Sequence, residues 1–98
     1  MWRNDLTAAE EGLLFYGWAG TMEAPKGFVS AADLAHGMNQ YNESLLKVCQ
    51  TDFLECYDLA SAIPKDTTAF YDDCHFNEHG AKLVARFLAD RLVKDADF

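Results

Sequence analysis

The sequence predicts an α/β fold with more helix than strand, and three observations predict it. Apolar residues recur at helical spacing over residues 31–49 and again over 77–94. Between them lies one short apolar-rich run, residues 53–59, bounded by polar residues. The order of these segments, helix then strand then helix, is that of half an α/β unit.

Each element has its own signal. Thr7-Ala8-Ala9-Glu10 fits a capping box, and Leu13, Leu14, Phe15, Tyr16 and Trp18 follow, so a first helix is predicted over about 8–18. Its apolar residues run nearly all round, which calls for burial or a partner. Gly20 is placed to end it, and residues 20–29, with Pro25 and Gly27, read as a loop. Ser30-Ala31-Ala32-Asp33 is a second capping start. From there Leu34, Met38, Tyr41, Leu45, Leu46 and Cys49 predict a long helix over 31–49, weakened by Gly37 and Asn42. Gln50-Thr51-Asp52 reads as a turn. Phe53-Leu54-Glu55-Cys56-Tyr57-Asp58-Leu59 reads as a strand buried on both faces of a parallel sheet. Residues 60–71 read as a loop. Leu83, Val84, Phe87, Leu88 and Leu92 then define one face of a last helix over 77–94, capped by Asn77 or a neighbour. One strand cannot close a sheet, so either the first 30 residues hide another strand or residues 1–98 are a partial domain, a fragment of a larger parent or a degenerate remnant.

Composition narrows the function classes. Half of the 98 residues are hydrophobic, which argues against disorder. A formal charge of −8 and the lack of a basic patch argue against nucleic-acid partners. No apolar run is long enough for a transmembrane helix. Met1-Trp2-Arg3-Asn4-Asp5 is not followed by an apolar core, so no signal peptide is read there and the localisation is left open. Cys49, Cys56 and Cys74 are odd in number and widely spaced, so no disulfide framework is expected.

The chemistry concentrates at Tyr71-Asp72-Asp73-Cys74-His75-Phe76-Asn77-Glu78-His79-Gly80. A histidine base needs a fixed tautomer and a partner for the imidazolium, and a carboxylate on one ring nitrogen supplies both. Asp72 and His75, three residues apart in a turn before a helix, meet that requirement without a long-range contact. This D-x-x-H, with the Asn77-x-x-Gly80 that follows it, resembles the last conserved block of the SGNH (GDSL-type) esterase and lipase family over about residues 31–94. The resemblance implies the C-terminal part of a three-layer α/β/α domain. It also implies that Asp72 and His75 are the Asp and His of a Ser-His-Asp triad. The substrate implied is an ester-linked acyl group, from a carbohydrate or lipid, and no cofactor is needed.

The pattern also departs from the family. No G-D-S nucleophile block and no oxyanion glycine block occur. Ser30 reads as a helix cap, and Asn4-Asp5 is only a faint echo of the family's G-x-N-D block. The chain alone is therefore expected to be inactive. Two other readings stand beside this one. His75 and His79, spaced i and i+4, suggest a zinc site. The apolar first helix and acidic surface suggest a non-catalytic helical interaction module. Asp73 reads as a helix-dipole partner, His79 and His36 as surface residues, and Cys74 as a small packed side chain.

Overall fold

Four helices and one pair of antiparallel strands make up the described residues of a computed structural model, which describes residues 1–14, 18–20 and 25–96. In chain order they are α1 (Ala8–Glu11), β1 (Trp18–Gly20), β2 (Pro25–Phe28), α2 (Ala31–Thr51), α3 (Leu59–Ala62) and α4 (Glu78–Asp95). The expected three-layer α/β/α fold is not present. The only sheet among the described residues is β1 with β2, paired Trp18↔Phe28, Ala19↔Gly27 and Gly20↔Pro25. No parallel strand pair exists there for helices to cover.

The caps fall where the side chains dictate. The Thr7 hydroxyl accepts from the Glu10 amide and the Glu10 carboxylate accepts from the Thr7 amide, a complete capping box. The helix it starts is short, however, and closes at Gly12. Of the predicted 8–18 helix, residues 15–17 lie outside the described residues, and Trp18 and Gly20 belong to β1. Ser30 caps α2 by accepting from the Asp33 amide, and Asn77 caps α4 by accepting from the Gly80 amide.

The predicted strand over 53–59 is the main correction. Helix α2 ends in a Schellman-type turn, in which the Leu54 amide donates to the Cys49 carbonyl at 2.8 Å. That turn places Phe53 at φ 54°, in the left-handed region. A residue there cannot begin a strand. A disulfide between Cys49 and Cys56 then ties the segment back to the end of α2. Phe53 is 95% exposed and Leu54 57%, so the run is not buried on both faces. Asp58 leaves it by capping α3, accepting from the Ser61 amide. Closing a loop of this length restricts the unfolded chain by about 2 kcal/mol. Reduction with dithiothreitol is expected to lower the melting temperature by that equivalent, with circular dichroism reporting it.

Among the described residues the core is thin, with Met1, Cys49, Ile63 and Ala69 its buried apolar members. The Cα radius of gyration is 16.2 Å, against about 13 Å for a compact domain of this length. Met38, Tyr41, Leu45 and Val48 form an exposed apolar stripe along α2. Leu83, Val84, Phe87 and Leu88 are half-buried on α4, which packs on α3, while Leu92 on the same face is exposed. No described helix is long and apolar enough to cross a membrane.

Candidate functional site

The loop between α3 and α4 is built from its own side chains. Asp66 starts it: its carboxylate accepts from the Thr68 amide at 2.9 Å, and its carbonyl accepts from the Ala69 and Phe70 amides at 3.1 and 3.0 Å. The chain then folds on itself. Phe70 pairs with Phe76 in an isolated antiparallel bridge, with their rings 4.8 Å apart. The Tyr71 amide donates to the His75 carbonyl at 3.2 Å. The Asn77 amide donates to the Ala69 carbonyl at 2.9 Å, and its side-chain amide donates to the Thr67 and Thr68 carbonyls. Residues 71–75 are thus held as a small loop against the start of α4.

Asp72 and His75 meet inside that loop. Asp72 Oδ1 accepts from the Cys74 amide at 2.9 Å and the His75 amide at 2.7 Å. His75 Nδ1 and Asp72 Oδ2 lie 2.7 Å apart. The Asp72 side chain is 15% exposed and the His75 side chain 54%, so the carboxylate is sheltered while the imidazole is reachable. Tyr71 stacks on the imidazole at 5.5 Å, nearly parallel. Burial works to raise the Asp72 carboxyl, but the Cys74 and His75 amides and the imidazole outweigh it and hold it down to about 2. A carboxylate in this setting accepts from Nδ1–H and leaves Nε2 with the lone pair that a general base uses.

Cys74 Sγ also lies 3.2 Å from His75 Nδ1. The carboxylate is closer and charged, so it fixes the proton on that nitrogen. Among the described residues, Asp72, Cys74 and His75 are the group that could hold a metal ion, their ligand atoms lying within 4.8 Å of one another. His79 is not part of that group. His75 precedes the Asn77 cap and His79 lies inside α4, so the two imidazoles do not share a helix face. The i, i+4 helix-face spacing that suggested a zinc pair therefore does not relate them.

Other expectations resolve similarly. Cys74 is exposed rather than packed. Asp73 is 2% exposed, and its carbonyl accepts from the Met1 amino group at 2.7 Å. The acid that α4 carries in its own first turn is Glu78. Ser30 donates its hydroxyl to Asp33 at 2.7 Å, and Ser61 donates to Asp58 at 2.5 Å, so both hydroxyls serve caps. Asn4 is exposed, and its neighbour Asp5 pairs with Arg3 at 2.8 Å.

Arg3 braces the site from the other end of the chain. It donates to both Glu10 carboxylate oxygens at 2.9 and 3.0 Å and to the Lys65 carbonyl at 2.7 Å, ahead of the Asp66 turn. The Arg3 guanidinium, with the Thr7 amide and hydroxyl, holds the Glu10 carboxyl down from 4.5 to about 2. Both Glu10 and Asp72 bind protons more readily in the unfolded chain than in the folded one. The stability they contribute is therefore complete above the unfolded values and is lost as pH falls through about 4.5 towards 2. Thermal melts from about pH 6 down to about pH 2 are expected to show that loss. Glu10→Gln and Asp72→Asn should each flatten it.

No protein-family model, curated protein or solved structure matches this chain.

Proposed function

We propose that Asp72 and His75 form the base half of a serine-type ester-hydrolase site, with the nucleophilic serine supplied from outside these 98 residues. The observation that carries this reading is the 2.7 Å contact between His75 Nδ1 and Asp72 Oδ2 in a loop that pins the carboxylate with two backbone amides. In the complete site, His75 Nε2 takes the serine proton as the hydroxyl attacks the acyl carbon. It then returns that proton to the departing alkoxide. Asp72 orients the ring and stabilises the imidazolium. The substrate class is an ester-linked acyl group of a carbohydrate or lipid, and the resemblance of the D-x-x-H stretch to SGNH hydrolases supports that class. The exposed stripe on α2 supports association with further protein surface.

The imidazole 15N shifts test the dyad directly. At alkaline pH they are expected to show Nδ1 protonated and Nε2 bare, and the reverse tautomer would sink the reading. A chromogenic short-chain ester should not be turned over by the 98-residue chain. Turnover abolished by His75→Ala would show that a nucleophile is present after all. Zinc bound stoichiometrically and lost on Cys74→Ala would favour a metal centre at the same three side chains.

A further inference from the structure

Behind the dyad loop lies a cavity of about 310 Å³ whose walls come from four separate parts of the chain. Its apolar walls include Trp2, Leu59, Ile63, Phe70 and Phe76. That is about twice the volume of an engineered apolar cavity that takes up benzene, so an aliphatic chain of about eight carbons has room.

The polar groups on its wall are mismatched. Lys65 lines the cavity and is half-buried, yet among the described residues its ammonium has no hydrogen bond and no carboxylate within ion-pair distance. The one carboxylate on the wall, Asp73, is 2% exposed and lies beside the Met1 amino group, which attracts it. The cavity therefore offers apolar surface, the Lys65 ammonium and the side-chain amides of Asn39 and Asn42, and lacks an accessible anion.

The geometry points to a site for a small apolar monocarboxylate, its chain among the aromatic and aliphatic walls and its carboxylate accepting from the Lys65 ammonium. The chain's charge of −8 opposes any anion at long range. At physiological salt that repulsion is screened beyond about 8 Å, so the adjacent ammonium decides the sign. The site does not depend on the hydrolase reading.

Titration calorimetry with three probes that share one eight-carbon tail tests it: octanoate, octanol and octylammonium, each below its micelle-forming concentration. Octanoate is expected to bind saturably, one per chain, at least about tenfold more tightly than the other two. Lys65→Met keeps the apolar stem and should bring octanoate down to the octanol level. His75→Ala should leave octanoate binding unchanged. Amide shift changes in the wild-type chain should cluster at Ile63, Phe70 and Phe76, which locates the site even if a variant folds poorly. Absence of saturable octanoate binding, equal binding of octanol or octylammonium, or full binding by Lys65→Met would each overturn the proposal.

Discussion

Gly80→Ala is expected to lower the melting temperature by at least about 10 °C and to release the loop that carries Asp72 and His75. A Cβ on Gly80 would stand 2.0 Å from the Ala69 carbonyl oxygen and 2.9 Å from its carbonyl carbon. Both are backbone atoms, so no side chain can rotate away. Ala69 is fully buried, and its carbonyl already accepts from the Asn77 amide. Moving it breaks that bond and loosens the Asn77 cap together with the bonds to Thr67 and Thr68. Overpacking of this kind costs about 3 kcal/mol or more. Gly37 is the control. It lies within α2, and a Cβ added there would meet nothing within 4 Å, so Gly37→Ala should stabilise by about 0.5–1 kcal/mol. Paired thermal melts measure both, and opposite signs are expected. Equal, small shifts would show that α4 does not rest on Ala69 as described.

That contrast shows where the sequence is informative. Thr7, Ser30 and Asn77 are short polar side chains placed one residue before helical spacing begins, and a cap is a local interaction, so all three are legible. Asn77-x-x-Gly80 is legible as a pattern too, though its reason, the Ala69 carbonyl, is visible only in three dimensions. The segment 53–59 misleads because a short apolar run fits a buried strand or an exposed connection equally well. What decides it is a left-handed Phe53, where glycine is usual, and a disulfide between cysteines whose spacing carries no framework signal. The α/β expectation falls with that strand.

The site divides along the same line. Asp72 and His75 lie three residues apart, and their contact needs only a turn, so residue type and spacing suffice. The cavity of Trp2, Ile63, Lys65 and Phe70 gathers residues from distant segments. No local spacing marks it. Arg3 escapes a sequence reading for the same reason, since its partners Glu10 and the Lys65 carbonyl come together only through the fold.

Asp72→Asn is expected to keep the loop and destroy its use as a base. Asparagine presents an acceptor oxygen that can still receive the Cys74 and His75 amides, which now bond to Oδ1 at 2.9 and 2.7 Å. The other branch changes from a carboxylate oxygen to an NH2 group, a donor facing His75 Nδ1. The ring must then turn its Nδ1 lone pair to that donor and carry its proton on Nε2. A neutral imidazole in that state has no basic lone pair toward a nucleophile. In a complete hydrolase site the loss in kcat is about 10⁴-fold, the scale set by the equivalent change in a serine-protease triad. In the 98-residue chain the same substitution reads out as an exchange of the Nδ1 and Nε2 nitrogen shifts at alkaline pH, with far-ultraviolet circular dichroism unchanged. Cys74→Ala separates the carboxylate from the sulfur: the thiol lies 3.2 Å from the same nitrogen, farther than the carboxylate at 2.7 Å, so its removal should leave the tautomer as it is. A tautomer that follows Cys74 and ignores Asp72 would transfer the chemistry of this loop from the carboxylate to the thiol.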